Sequence, residues 1–254
     1  MRSGSSAPIK VIGVIPARLA STRFHAKPLA KILGKEMILW VLEGAQKSER
    51  LDEVIVATDD LAIQSLVEKN GGRVVMTDSH LPTGTDRIWS AIQGIDADVI
   101  INIQGDEPLI SEKMIDPLVQ AFEDHPQISM ATLGHEISWE ELQSLDAVKV
   151  VCDRQGQALY FSRFPIPYSR QAVSASDKIA GCLKHIGMYG YRREFLKNFC
   201  QQEPTLLEQA ESLEQLRALE MGARIQVMKV DQKSWGVDRP EDILKIEEKL
   251  RSQI

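Results

Sequence analysis

The sequence predicts an α/β layered fold around a buried, mostly parallel sheet, and three observations carry that prediction. Short apolar, β-branched runs stand at 11–15, 54–58, 73–76 and 99–103. Amphipathic patterns at 37–46, 61–69 and 85–93 separate them. With 254 residues, 43% of them hydrophobic, the chain is long enough for one substantial core. Near-continuous apolar runs alternating with helices are the mark of strands covered on both faces.

The elements follow in order. Asp59 or Asp60 is placed to cap the helix at 61–69, because an Asp side chain accepts hydrogen bonds from the free N–H groups of a first turn. The second half changes character. Candidate strands lie at 129–133, 148–151, 158–161 and 186–191 with fewer helices among them, which fits a mixed sheet or an inserted subdomain. Thr205 and Glu208 form a capping-box pattern, Leu206, Ala210, Leu213 and Leu216 keep helical spacing, and Gly222 follows as a stop, so one helix is predicted across this stretch. A strand follows at 225–230. Pro240 then opens a last helix carrying Ile243, Ile246 and Leu250 on one face. There is no repeat, low-complexity block or long linker.

Composition narrows the function classes. The formal charge of −6 argues against general nucleic-acid binding, which shows a basic excess. An anionic ligand must therefore be held by a local cluster of cations. No stretch approaches the roughly 18 uninterrupted apolar residues of a membrane span, and residues 1–8 lack the apolar segment of a secretory signal. A soluble cytoplasmic protein is expected. Cys152, Cys182 and Cys200 are spaced too widely for a Cys-x-x-Cys pair and read as reduced, mostly buried thiols.

Chemistry concentrates first in 16–29, directly after the first strand, where ligands sit in open α/β sheets. Pro16 and Ala17 open the segment, Arg18, Arg23 and Lys27 place three cations within ten residues, and Ser21 and Thr22 add hydroxyls. Triphosphate oxygens require such donors together with free backbone N–H groups. The pattern is not Gly-x-x-x-x-Gly-Lys-Ser/Thr, which disfavours a P-loop NTPase. Taken alone, the segment also fits a solvated basic loop.

Asp106 lies in Asn102-Ile103-Gln104-Gly105-Asp106-Glu107-Pro108 at the end of the fourth strand, and Asp238 lies in Trp235-Gly236-Val237-Asp238-Arg239-Pro240. Each alone fits a turn or helix-start carboxylate. As a pair at strand-to-helix transitions, they suit a divalent metal held against phosphates. Thr83-Gly84-Thr85-Asp86-Arg87 supplies hydroxyls and a guanidinium, or simply a helix N-cap. The strand segments around Tyr160–Pro167 and His185–Tyr191 combine polar tips with apolar bodies, fitting core, interface or ligand roles. Arg163 is costly to bury without an anionic partner, and a carboxylate-bearing ligand would provide one.

In chain order, Pro-Ala-Arg-x-x-Ser-x-Arg-x-x-x-Lys-Pro-Leu, Ala-Thr-Asp-Asp, Gly-Thr-Asp-Arg, Gln-Gly-Asp-Glu-Pro, Ala-Val-Lys-Val-Val, Tyr-Phe-Ser-Arg-x-x-Ile-Pro, His-Ile-Gly-x-Tyr-Gly-Tyr-Arg, Leu-Glu-Gln-Leu-Arg and Gly-Val-Asp-x-Pro-Glu-Asp closely resemble the 3-deoxy-manno-octulosonate (KDO) cytidylyltransferases, within the sugar nucleotidylyltransferases. The resemblance spans roughly residues 11 to 250. It implies a Rossmann-like, mostly parallel or mixed sheet of the nucleotide-diphospho-sugar transferase type with a smaller dimerisation subdomain. The nucleotide-binding core would comprise about 9–135 and 225–252, and the sugar-binding and dimerisation insertion about 136–224.

The same resemblance implies the reaction of CTP with KDO to give CMP-KDO and pyrophosphate for lipopolysaccharide synthesis, in a homodimer that binds neither nucleic acid nor membrane. It places Pro16, Ala17, Arg18, Arg23, Lys27, Gln104 and Asp106 at the nucleotide, with Arg18 and Lys27 on the triphosphate. Asp106 and Asp238 would bind Mg²⁺. Arg87, Gln104, Arg163, His185, Tyr189, Glu214 and Gln215 would line the sugar-acid pocket.

Three departures stand out. The family loop usually reads Arg-Leu-Pro-Gly-Lys-Pro, but here Phe24-His25-Ala26 precedes Lys27-Pro28, so Ala replaces a Gly free to take positive φ. Arg239 replaces a usual Thr, and Leu81-Pro82 is an unusual approach to Thr83. Rival readings are a cytidylyltransferase for 8-amino-8-deoxy-KDO or a sialic-type acid, and, in another class, a nucleotide-binding sensor without catalysis.

Overall fold

The structure is a computed structural model that describes residues 9–19, 24–168, 170 and 181–252. Arg23, Ser21 and Thr22 of the expected phosphate loop lie outside the described residues.

The strands are β1 (Val11–Ala17), β2 (Lys31–Ile32), β3 (Lys35–Glu36), β4 (Glu53–Thr58), β5 (Arg73–Met76), β6 (Val99–Asn102), β7 (Met130–Glu136), β8 (Lys149–Cys152), β9 (Ala158–Ser162), β10 (Cys182–Arg192) and β11 (Ile225–Lys229). The α-helices are α1 (Met37–Gln46), α2 (Leu61–Lys69), α3 (Gly84–Ile92), α4 (Glu112–Asp124), α5 (Trp139–Gln143), α6 (Arg193–Cys200), α7 (Leu206–Glu211), α8 (Gln215–Glu220) and α9 (Asp242–Ser252), with a short 3-10 turn at Lys27–Leu29.

Among the described residues the strands form a nine-stranded mixed sheet whose main path runs β11-β7-β10-β6-β1-β4-β5, and β2 pairs with β3 separately. Strands β6, β1, β4 and β5 run parallel, so their carboxyl ends open at one edge. Strand β10 runs antiparallel between β6 and β7, and β8 and β9 extend from it. The stretch 136–224 therefore adds a central strand to the main sheet as well as a peripheral β8–β9 pair.

Period-two alternation sends the strand side chains into two cores. Val11 and Ile15 join one core with Leu42 of α1, Val67 of α2 and Phe122 of α4. Ile12 and Val14 join the other with Ile88 of α3, Phe199 of α6 and Leu216 of α8. Each such buried side chain contributes roughly 1.5–3 kcal/mol. A third cluster, with Ile32, Met37, Val237, Ile246 and Leu250, docks α9 and the β2–β3 ribbon onto α1.

Besides α5, α6 and the β2–β3 ribbon, which no sequence pattern announced, expectation and structure diverge at three places with a clear physical cause. The single helix predicted over 205–222 is two, α7 and α8, broken at Ser212, whose φ of 53° is left-handed. The capping box of Thr205 and Glu208 is present as read. Tertiary bonds end α7: the Glu211 carboxylate accepts from Ser162 Oγ at 2.6 Å and Arg163 N at 2.9 Å, and Arg163 Nε donates to the Glu211 carbonyl at 2.9 Å. Secondly, α4 matches no predicted element. Pro117 lies inside it and removes one ladder bond, offset by burial of Met114, Ile115, Leu118, Val119 and Phe122. Thirdly, the last helix starts at Asp242 and not at Pro240, because the Asp242 carboxylate accepts from the Asp238 and Arg239 N–H groups. Asp60 caps α2, accepting from Ala62 N and Ile63 N, which releases Asp59 for another role.

The three cysteines are free thiols, Cys182 buried and the others half-buried. No helix among the described residues is long and apolar enough to cross a membrane.

Candidate active site

Two clefts open at the carboxyl edge of the parallel strands. The first, about 280 Å³, is lined by Pro16, Ala17 and Arg18 from the end of β1, Lys27 and Pro28, Leu81, Thr83, Gly84 and Arg87 from the start of α3, and Gln104, Gly105 and Asp106 beyond β6. The second, about 590 Å³, lies toward β10 and α8, with His185, Gly187, Tyr189, Glu214, Gln215 and Asp238 on its walls. Gln104 and Asp106 belong to both clefts. The structure thus brings the expected nucleotide residues among those described, all but Arg23, into one recess and most of the expected sugar residues into the adjoining one.

Gly105 lets the two strand ends converge. A Cβ there would lie 2.8 Å from the Pro16 carbonyl oxygen, closer than a side chain tolerates. Gln104 bridges the clefts by donating to the Gly187 carbonyl at 2.8 Å. That carbonyl is available because β10 bulges between Ile186 and Tyr189. Thr132 Oγ1 supports the bulge, donating to Met188 O at 2.8 Å and lying 2.9 Å from His185 Nε2.

Lys27 anchors the cation side. Its Nζ lies 2.6 Å from Asp106 Oδ2 and 2.9 Å from the Val237 carbonyl, with 17% of the side chain exposed. Val237 N in turn donates to Asp106 O at 2.9 Å, which sets the Asp238 segment beside Asp106. Arg18 is exposed at the cleft mouth, and His25 is exposed on the loop. Ala26 has φ 52° and ψ 30°, so this loop does demand the left-handed conformation that the family glycine supplies.

In the second cleft, His185 is 8% exposed and burial lowers its pKa to about 3, so the ring is neutral. It packs edge-on against Phe161 and beside Tyr189. Tyr189 OH donates to Gln215 Oε1 at 3.1 Å, and burial, reinforced by Glu214, raises the phenol pKa. Gln215 is 3% exposed, and its buried Nε2 has no hydrogen-bond partner among the described residues. Glu214 accepts from Thr85 Oγ1 at 2.7 Å, and burial raises its pKa against the lowering effect of that bond and of Arg217.

Two expected sugar residues fall elsewhere. Arg87 is buried in the wall of the first cleft, paired with Asp59 at 3.5 Å and donating to Thr77 Oγ1. Arg163 lies outside the second cleft's lining, where its guanidinium meets the carbonyls of Glu211, Ser212 and Leu145. Thr83 caps α3 by accepting from Asp86 N.

Sequence reasoning assigned no role to Glu107, Asp146, Lys184 or Ser234, which also line the second cleft. Glu107 had a signal, being part of Gln-Gly-Asp-Glu-Pro. The other three carried none, since long-range packing alone brings them to the cleft.

A family model described as Cytidylyltransferase matches residues 12–225. The chain is 56% identical over 245 residues to the 3-deoxy-manno-octulosonate cytidylyltransferase of Bdellovibrio bacteriovorus, covering 96% of this chain and 99% of that one. Its identity to the enzyme of the same name from Syntrophotalea carbinolica is 46% over 248 residues, covering 96% and 99%. Its fold is similar to a solved structure of CMP:2-keto-3-deoxy-manno-octonic acid synthetase complexed with CTP, with a TM-score of 0.90 at 41% identity, covering 96% of this chain and 100% of that one.

Proposed function

The chain belongs to the 3-deoxy-manno-octulosonate cytidylyltransferase family, and from that membership we propose that it transfers CMP from CTP to the anomeric hydroxyl of KDO, releasing CMP-KDO and pyrophosphate. The junction of the two clefts at Gln104 and Asp106 carries this reading, because a transfer between two substrates needs both recesses to meet at the reacting phosphorus.

Pro16, Ala17 and Arg18 hold the nucleotide, with Lys27 at the phosphates and Arg23 assigned to the same loop. The polar wall of Tyr189, Glu214 and Gln215, backed by neutral His185, orients the sugar acid. The anomeric oxygen attacks the α-phosphorus in line, the bond to the β-phosphate oxygen breaks with its electron pair leaving on pyrophosphate, and the hydroxyl proton passes to water. Lys27 and Arg18 stabilise the charge that grows on the phosphoryl oxygens, an effect worth about 3–4 kcal/mol for one well-aimed donor.

The donor set fits Mg²⁺. Asp106 and Asp238 line one cleft, a pair of carboxylates with the phosphate recess beside it. Mg²⁺ takes one or two carboxylates and fills its octahedron with water and substrate phosphates. Bound there, the ion supplies Lewis-acid charge that lowers the hydroxyl pKa and neutralises the triphosphate.

The exposed apolar residues Leu159, Phe164 and Tyr168 around the end of β9 support a homodimer formed through this surface. A cytoplasmic enzyme feeding lipopolysaccharide synthesis follows from the substrates. Pyrophosphate release from CTP and Mg²⁺ with a panel of KDO, 8-amino-8-deoxy-KDO and sialic acid tests the reading. Release is expected with KDO, and silence with every acid would leave only a nucleotide-binding protein.

A further inference from the structure

The segment that carries Asp238, residues 230–241, contains no helix or strand until α9 begins. Its position must come from specific bonds, since no ladder of regular backbone pairing fixes it. Lys27 Nζ donates to Val237 O at one point, the Asp242 carboxylate accepts from Asp238 N and Arg239 N at the other end, and a further set of bonds reaches the stretch that follows β6. Val237 N donates to Asp106 O at 2.9 Å. Gln232 Nε2 donates to Leu109 O at 3.2 Å, and Ser111 Oγ donates to Gln232 Oε1 at 2.9 Å. Glu107 uses both carboxylate oxygens on the same segment, Oε1 accepting from Ser234 Oγ and Oε2 from Trp235 N at 3.3 Å.

Glu107 is 8% exposed and adjacent to Asp106. A carboxylate buried beside another is costly unless its oxygens are satisfied. Here the satisfying donors belong to the segment bearing Asp238. We propose that Glu107 is a positioning residue that clamps the Asp238 segment onto the Asp106 strand end and so fixes the spacing of the two carboxylates. The proposal rests on the reading of Asp106 and Asp238 as the metal pair of a cytidylyltransferase. Glu107 acts through hydrogen bonds, so an isosteric amide preserves most of its role whereas truncation removes it.

The test uses the full-length protein and the substitutions Glu107→Ala, Glu107→Gln and Ser234→Ala, the last serving if truncation of Glu107 prevents folding. Amide hydrogen exchange across 232–238, CTP affinity by calorimetry without metal, and the Mg²⁺ concentration for half-maximal pyrophosphate release are measured. Glu107→Ala is expected to speed exchange at least tenfold in that stretch and raise the Mg²⁺ midpoint at least tenfold, with metal-free CTP affinity within twofold of the parent. Ser234→Ala should shift both in the same direction by a smaller factor, and Glu107→Gln should stay within about threefold. Exchange and midpoint unchanged in Glu107→Ala, or in Ser234→Ala where Glu107→Ala does not fold, would overturn the proposal. So would Glu107→Gln behaving as badly as Glu107→Ala. A parent protein inactive on KDO would instead defeat the functional reading, and the exchange measurement would still judge the clamp.

Discussion

Lys27 Nζ and Asp106 Oδ2 lie 2.6 Å apart although the residues are separated by 79 positions. The bond joins the two signature segments of the sequence and places the cation assigned to phosphate directly against a carboxylate assigned to the metal. Neither side chain is fully buried, at 17% and 35% exposure, so the pair contributes on the order of 1 kcal/mol or less to stability.

Removing that ammonium should hurt catalysis far more than folding. Lys27→Met is expected to lower turnover about a hundredfold, the cost of one transition-state charge donor, while the melting temperature moves little. Steady-state pyrophosphate release and thermal unfolding measure the two effects. A variant with ordinary turnover would remove Lys27 from the reaction.

Gly105→Ala tests the close approach of β1 and β6. The added methyl would meet the Pro16 carbonyl at 2.8 Å, and both partners belong to the site. Backbone shifts costing roughly 1–3 kcal/mol are expected, together with weaker CTP binding because Pro16 and Gly105 line the same cleft. Calorimetric titration of CTP and urea unfolding read both. Unaltered CTP affinity would mean that the cleft tolerates the displacement.

Ala26 occupies a left-handed conformation at φ 52° that a Cβ disfavours by about 1–2 kcal/mol. Ala26→Gly relieves this strain but frees the unfolded chain, so a net gain of about 0.5–1 kcal/mol is expected. For a chain of this size that is a rise of about 1–4 °C in melting temperature. A fall would show that the loop holds Ala26 without strain.

The buried imidazole of His185 makes stability depend on pH. Its folded pKa, about 3, lies below the ordinary 6.5, so between these values the unfolded chain binds a proton that the folded one refuses. Stability from this group is complete above about pH 6.5 and drains away as pH falls toward 3. Glu107 and Glu214, whose pKa values burial raises, have the opposite slope, since their contribution disappears as pH rises through their raised values. Urea unfolding at pH 7 and pH 5 should therefore show a larger loss for the parent than for His185→Gln. Parallel losses in the two proteins would contradict the buried neutral ring.

Legibility in the sequence followed the range of the forces involved. Strands β1, β4 and β6 were readable because burial on both faces leaves unbroken apolar runs, the half-exposed edge strand β5 because its short Val74-Val75 run is β-branched, and α2 because Asp60 caps it locally. Helix α4 was hidden by Pro117, which argues against a helix wherever packing is unknown. The break at Ser212 was hidden for the reverse reason. Helical spacing continues through it in sequence, but Ser162 and Arg163, about fifty residues earlier, take the Glu211 carboxylate and carbonyl and stop the turn. Arg163 illustrates the same limit at the site. Its need for a partner was evident, and backbone carbonyls meet it.

The sequence by itself determined the family and its reaction class, because nine short motifs in one order carry the likeness, and it named candidate residues for the phosphates and the metal. Tertiary structure decided which segments share a cleft. Arg87 went to the first cleft, Asp146, Lys184 and Ser234 joined the second recess, and Glu107 became the link to the Asp238 segment. Such assignments depend on contacts between residues up to 210 positions apart, as between Lys27 and Val237. Only the packed sheet, with β10 bulged between β6 and β7, brings those distances to hydrogen-bond length.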